Sequence, residues 1–322
     1  IVGLVGHGVT GRRISAHLIN QQMRVAVFAP SGPGTVRGGV AVHDEEDLVV
    51  TDVVALCHPH PHAPLAEKYL AAGVSVVSMS ADIADVQRLV DLDGFARSQG
   101  AALIVGAAMS PGLSGLLADH LWRQLHAAEE IHVATHGTAG PACAARHHDA
   151  LGDTAFGWHD GAWIERPGGS GRELDWFPEP IGAKDCYRAA VPDPFLLHRI
   201  FPSAQRISAR VSGTRRDRLT ARLPMLTPPH AAGDLGAVRV EVRGAAQDGA
   251  RVTVIAGASG AVGELAAAVM VACLEACLTK QLDPGVHVVG GQSLDPPTML
   301  RRAVELGVRL HEFTGVARSS AW

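Results

Sequence analysis

At 322 residues, 47% of them hydrophobic and 19% charged, the chain has the composition of a folded globular protein and is long enough to call for two domains. A formal net charge of -4 with no long basic run excludes the clustered Lys and Arg that phosphate backbones demand, so no nucleic-acid partner is expected. The most apolar stretch, GELAAAVMVACLEACL, is interrupted by Glu264 and Glu275 and is short for a bilayer span; it reads as a buried helix, with no membrane partner.

In chain order, IVGLV is a short apolar run followed by a helix from about Gly11 to Gln22, with Ile14 and Leu18 on one face. MRVAVFA is a second strand. The Gly/Pro loop SGPGTVRGG and the acidic DEEDLVVTD lead to DVVALC, a third strand. HAPLAEKYLAAG is a helix closed by Gly73, and VSVVSMS is the next strand. A single helix over about Ile83–Gly100 precedes the strand AALIVGAAM and the helix GLSGLLADHLWRQL. EIHVATHG then enters a different layer, followed by an irregular Gly-, Pro- and Trp-rich stretch from about Gly137 to Pro194. RISARVSG, VRVEVRG and RVTVIAG are later strands of an antiparallel or mixed sheet, and PPTMLRRAVELGV is a last amphipathic helix that packs back on the first domain. The expected fold is α/β: a Rossmann-type, doubly wound parallel sheet over residues 1–120, then a second α/β (α+β) domain with a mixed sheet over 121–322.

Gly6, Gly8 and Gly11 follow a strand, open a helix and begin an alternating strand–helix series, the context in which G-x-G-x-x-G binds a dinucleotide. Gly6 serves the tight turn, Gly8 the approach of a pyrophosphate, and Gly11 close helix–strand packing, while the helix N-terminus presents free N–H groups. His7, Val9 and Thr10 complete the loop. At the end of the second strand Ala29, Pro30 and Ser31 stand where an acidic residue would bind the adenosine ribose. Without that carboxylate a 2′-phosphate is not repelled, and Ser31 with Arg37 or Arg12 is placed to bind it, so NADP(H) is favoured over NAD(H). Ligands of such sheets lie at the carboxyl ends of the strands, which makes Cys57, His58, Pro59, Met79 and Ser80 the expected wall of the cofactor.

Two other patterns are weaker signals. HPHPH at His58, His60 and His62 has prolines that hold its rings apart, so no metal is expected. The five cysteines have no metal-like spacing and no charged leader precedes the opening strand; both fit a reducing, cytoplasmic setting.

The segments IVGLVGHGVTGRRISAHL, VVALCHPHPHAPLAEKYLAAGVSVVSMSAD and AALIVGAAMSPGLSGLLADHL together resemble the saccharopine dehydrogenase-like (saccharopine reductase-like) family, closely over about residues 1–125 and more loosely beyond. In that family a turn like Pro111-Gly112-Leu113 ends a strand after the Rossmann core, although Ser110 stands here where many members have an acidic residue. The resemblance implies an NAD(P)-binding domain, a second domain that contacts substrate and often forms a homodimer, and reversible reduction of an imine formed between an amino acid and an oxo compound.

The polar segment ATHGTAGPACAARHHDALGDT is the expected source of chemistry in the second domain. Arg146 suits a substrate carboxylate, and His136, His147 or His148 could supply a proton, oriented by Asp149 or Asp153. The same residues also read as the solvated face of a short helix, on which His147 and His148 point about 100° apart. The expectation is an NAD(P)H-dependent oxidoreductase acting on a C=N or C–N bond of a small amino-acid-like substrate that carries a carboxylate or amine. The alternatives are a carbonyl or enoyl reductase, a non-catalytic dinucleotide-binding protein, and a transferase that uses bound NAD(+) transiently. GASGAVGELAAAV lacks G-x-G and is expected to serve close helix packing or a flexible connection rather than to bind phosphate. Trp158, Trp163, Trp176 and Phe177 fit either a substrate wall or the anchoring of an irregular segment.

Overall fold

Val-rich runs of four residues, buried on both faces, make the first sheet, as a parallel sheet covered by helices requires. The computed structural model describes residues 1–29, 36–59, 61–225, 228–279 and 282–313. Its first half runs β1 (Val2–Val5), α1 (Val9–Asn20), β2 (Val25–Phe28), β3 (Val40–Ala41), β4 (Val53–Leu56), α2 (Ala63–Ala71), β5 (Ser75–Ser78), α3 (Ile83–Asp91), α4 (Asp93–Ser98), β6 (Ala102–Val105), α5 (Leu113–Trp122), β7 (Ala127–His136) and α6 (Pro141–Gly152). There follow β8 (Thr154–His159), β9 (Ala162–Pro167), β10 (Glu173–Phe177), β11 (Gly182–Arg188), α7 (Asp193–Ile200), β12 (Arg206–Ser212) and α8 (Arg215–Thr220). The chain ends with β13 (Leu235–Ala245), β14 (Arg251–Ala261), α9 (Val262–Leu278), β15 (Gly285–Val288), α10 (Pro296–Glu305) and β16 (Arg309–Glu312).

The first sheet has seven parallel strands in the order β15-β6-β5-β4-β1-β2-β3. The second has nine strands in the order β10-β11-β12-β7-β13-β14-β16, with β8 paired to β12 and β9 to β8. Only β7 and β12 run parallel in it, so it is mixed. The α/β expectation, a doubly wound sheet followed by a mixed one, holds.

Three local readings are corrected. The helix expected over 83–100 is two helices, broken at Leu92. The segment 137–194 contains α6, β8 to β11 and the start of α7, because its Gly and Pro residues punctuate short strands rather than prevent them. The run GVHVV, not read as a strand, pairs with β6 and returns the chain to the first sheet.

α9 is apolar nearly all round, and 12 of its residues are buried, from Val262 to Leu274. It lies between the sheets in one apolar core that joins Leu4, Val27 and Val53 to Val238, Val240 and Val242. Gly263 sits in its first turn against the Arg13 side chain, and Gly257 against Pro178; the glycines of this segment serve packing. α10 packs on α5 and α9. Among the described residues no helix is long and apolar enough to cross a membrane.

Candidate active site

The carboxyl ends of β1, β4, β5 and β6 open on one edge of the first sheet. In the turn after β1, Gly6 adopts φ +100°, and a Cβ on it would lie 2.7 Å from the His58 backbone nitrogen. A Cβ on Gly11 would lie 2.2 Å from the Gly6 carbonyl oxygen. Neither position admits a side chain. Gly8 differs. It precedes α1 without capping it through a side chain, and nothing lies within 4 Å of where its Cβ would be. The loop is therefore packed tightly against the sheet at both ends and open in the middle, where the N–H groups of the first helical turn begin. His7 lends its carbonyl to Arg12 Nη1 at 3.2 Å, and Thr10 is buried at the helix start beside Val9.

Ala29 is buried at the end of β2; Pro30 and Ser31 lie outside the described residues. Arg37 is exposed, and its neighbours Gly38 and Gly39 pack on Ile19 and Val25 at the amino end of β2, the wrong end for a nucleotide phosphate. That leaves Arg12 as the arginine of the glycine loop.

Cys57 and His58 follow β4. Burial pushes the Cys57 thiol far up, so it stays protonated. His58 Nδ1 lies 2.6 Å from the Pro59 carbonyl oxygen, while its Nε2 is buried with no partner among the described residues; burial lowers its pKa. His62 is structural: Nδ1 meets Ser78 Oγ and Nε2 meets the His58 carbonyl, both at 2.8 Å. His60 lies outside the described residues.

The Ser80 hydroxyl, expected to face the cofactor, instead donates to Asp85 Oδ2 at 2.6 Å. The reason lies in the start of α2. Asp85 also accepts the backbone N–H groups of His62 and Ala63, so this carboxylate from α3 caps α2 from outside, and Ser80 is drawn into the cap. Burial pushes Asp85 up, but the Ser80 hydroxyl and the two N–H donors outweigh it and hold the carboxyl below its usual range.

The chain that follows β7 meets this edge through α6. A Cβ on Gly140, just before α6, would lie 2.8 Å from Val9 Cγ2, so the loop after β7 presses on the start of α1. Further along, Arg146 Nη2 lies 3.6 Å from Asp82 Oδ2, at the start of α3. α6 thus spans the edge from the glycine loop to the end of β5. Arg146 also donates to the Ala190 carbonyl at 3.0 Å and, more weakly, to Asp153 at 3.4 Å, and its buried Nε has no partner among the described residues.

The three histidines diverge. His136 Nδ1 meets Ser212 Oγ at 2.7 Å, and His147 Nε2 meets the Ser212 carbonyl at 2.8 Å, so these two converge on one serine. His148 turns away to the Leu223 carbonyl at 2.8 Å. Burial, reinforced by the charge of Lys184, drives His136 down to about 4, and burial lowers His147 too. The rings of His136 and His147 are neutral near pH 7 and carry no extra proton to give.

One cluster was not anticipated. Asp193, the first residue of α7, is 1% exposed, and its Oδ1 lies 2.7 Å from Ser110 Oγ and 2.6 Å from Ser114 Oγ. Ser110 and Ser114 flank the turn that follows β6, so a carboxyl from α7 reaches the carboxyl edge of the first sheet. Its only sequence signal is the VPDPF run, an acidic residue framed by two prolines at a helix start. Ser212 and Lys184 were likewise not singled out.

A groove of about 410 Å³ runs from the glycine loop along α1, lined by Val9, Arg12, Arg13 and His17 opposite Ala232 and Glu264. Arg13 Nε in it is already paired with Glu264 at 2.7 Å.

No protein-family model matches the chain, and no curated protein matches it. Solved structures do. It is similar to a saccharopine dehydrogenase (L-Glu forming) from Saccharomyces cerevisiae at 13% identity and a TM-score of 0.73, over 97% of this chain and 99% of that one. It is also similar to a mutant meso-dapdh with DAP from Clostridium tetani E88, at 17% identity and a TM-score of 0.53, over 94% and 98%. These likenesses establish that the chain shares the fold of those dehydrogenases, with its Rossmann-type sheet, over nearly all of its length.

Proposed function

We propose that the chain is an NAD(P)H-dependent oxidoreductase that moves hydride to or from a C=N or C–N bond of a small, amino-acid-like substrate. The carrying observation is the glycine loop, closed to side chains at Gly6 and Gly11 and open at Gly8 before an uncapped helix. Those features fit a diphosphate received on the first-turn N–H groups of Val9, Thr10 and Gly11. The like fold of the dehydrogenases described above supports the reading. The dinucleotide supplies the hydride; the protein supplies binding, orientation and proton management.

Arg146 is the proposed anchor of a substrate carboxylate. Its carboxylate contacts are long and its Nε–H is unspent, so a substrate carboxylate placed there gains paired hydrogen bonds that Asp82 and Asp153 do not provide. His136, with His147 behind Ser212, faces the same end as a neutral hydrogen-bonding group. His148 is proposed to hold the loop at Leu223 rather than act on substrate. NADP(H) remains favoured through Arg12. A cytoplasmic homodimer, with residues 1–120 as the core of the dinucleotide domain and the later chain as the substrate and dimer domain, completes the proposal.

Calorimetry with NADPH and NADH on the wild type and on Gly8→Val tests the reading. One dinucleotide is expected to bind the wild type, and Gly8→Val is expected to lose it with little change in Tm, because its side chain enters open space. No association of either dinucleotide with the wild type defeats the proposal. A panel of amino acid–oxo acid pairs, ketones and enoyl compounds then separates C=N from C=O and C=C reduction.

A further inference from the structure

His136 and His147, beside the cleft, are neutral, yet hydride reduction of a C=N or C=O bond must end with a proton on the nitrogen or oxygen. The buried carboxyl of Asp193 bears on this problem. Both of its close hydrogen bonds, to Ser110 and Ser114, fall on Oδ1, and Oδ2 is buried with no partner among the described residues. An ionised carboxylate in that position would leave a half-share of charge on an oxygen without a donor, among the costliest arrangements a protein interior can hold. A neutral carboxylic acid does not. With the proton on Oδ1 it donates to Ser110 Oγ and accepts from Ser114, and Oδ2 becomes a carbonyl oxygen, whose missing bond costs far less. Hydroxyl hydrogens rotate freely enough to accept this reversal without moving a heavy atom. The space beside the carboxyl, walled by Gly106, Pro111, Gly112, Gly115, Leu196 and Val289, amounts to about 10 Å³ and admits nothing larger than a water. No organic ligand reaches Oδ2.

We infer that Asp193 is held as a neutral carboxylic acid and that, through Ser110, it is the proton source of the cleft. This rests on the oxidoreductase reading. Ser110 is half-buried in the turn just past the carboxyl end of β6, with its hydroxyl on the buried acid. As the substrate carbon accepts hydride, the π pair of C=N or C=O moves onto the heteroatom. The Ser110 O–H bond breaks and N–H or O–H forms; the Asp193 Oδ1–H bond breaks and re-forms the serine hydroxyl. Asp193 is left as a carboxylate, the dinucleotide leaves oxidised, and solvent returns the proton. The reverse direction uses the same groups as base. Asp193 acts through Ser110 and is therefore a positioning residue; Ser110 is the group placed to touch substrate.

Burial raises the Asp193 carboxyl above its ordinary value, against the Ser114 and Ser110 hydroxyls and its own backbone N–H, and no charged side chain acts on it. The sign for stability follows. A carboxyl whose pKa is raised by folding favours the native state while protonated, and that advantage is lost as pH rises from the unfolded value, about 3.9, through the folded one. An amide side chain at this position cannot ionise, so Asp193→Asn should gain stability relative to the wild type as pH rises.

Two measurements on the free protein test the proton without cofactor or substrate. The infrared difference between wild type and Asp193→Asn at pH 7 is expected to show the C=O stretch of a neutral carboxylic acid in the wild type, and the Tm gap between the two should move in favour of the Asn variant between pH 4 and pH 8. A carboxylate band in place of the acid band, or an Asn variant that loses ground with rising pH, overturns the inference. With a turned-over substrate, Ser110→Ala should lower kcat roughly 100-fold with the dinucleotide Kd unchanged, Ser110→Thr should restore it, and Asp193→Asn should flatten the pH profile. Unchanged kcat in Ser110→Ala overturns the relay. Failure of any dinucleotide to bind, with the acid band present, strikes the oxidoreductase reading instead.

Discussion

Single residues at the carboxyl edge divide into those that build it and those left open to a ligand. Gly11 builds it: Gly11→Ala should cost about 1–3 kcal/mol of stability, because the new methyl meets the Gly6 carbonyl and the backbone must yield. A urea melt beside that of Gly8→Val reads the contrast. Asp85 also builds it. Its carboxyl is held below the ordinary range, so its contribution is fully present above the unfolded value of about 3.9 and is lost as pH falls through the folded one. Asp85→Asn should therefore destabilise by about 2 kcal/mol at neutral pH and leave a protein whose stability falls less steeply in acid, as melts between pH 2 and pH 7 would show. The glycines were legible because G-x-G-x-x-G is a local pattern with a local cause. Asp85 and Asp193 were not, since each acts on an element distant in sequence: Asp85 caps α2 from α3, and Asp193 reaches the turn after β6 from α7.

Elements with a strong period were legible, and those held by partners were not. β1, α1, β2, β4, β5 and β6 follow from apolar runs and helical spacing, whereas β8 and β9 are held in place by what they meet. Trp158 on β8 stacks on His198 of α7 at 3.9 Å between centroids and donates its Nε1–H to the Ala204 carbonyl. Trp163 on β9 completes the cluster at 5.3 Å from Trp158, and Trp176 on β10 is 61% exposed. The tryptophans that sequence left between substrate wall and anchor thus divide: Trp158 anchors the β8–β9 hairpin to α7, while Trp176 projects from β10. Trp158→Ala should cost about 3 kcal/mol and Trp176→Ala close to nothing, measured by chemical denaturation. The dense polar segment 134–154 does hold a helix carrying Arg146, but which face it turned to the first sheet depended on Gly140 meeting Val9 and on Arg146 reaching Asp82.

At the scale of the molecule, the two sheets share one apolar core through α5 and α9, and β15 completes the first sheet from the far end of the chain. A fragment of residues 1–120 should therefore fail to give a cooperative melt by circular dichroism, while the intact chain unfolds with coincident dichroism and tryptophan fluorescence transitions. Sedimentation equilibrium checks the proposed homodimer. Composition and alternating apolar runs determined the α/β class and the strands β1, β2, β4, β5 and β6, because each is a pattern among residues close in sequence. The tertiary structure alone decided which polar groups stand at the carboxyl edge. It neutralised His136 and His147, turned Ser80 inward and brought Asp193 to Ser110. Burial and partnership depend on chain segments tens of residues apart, and no local pattern encodes them.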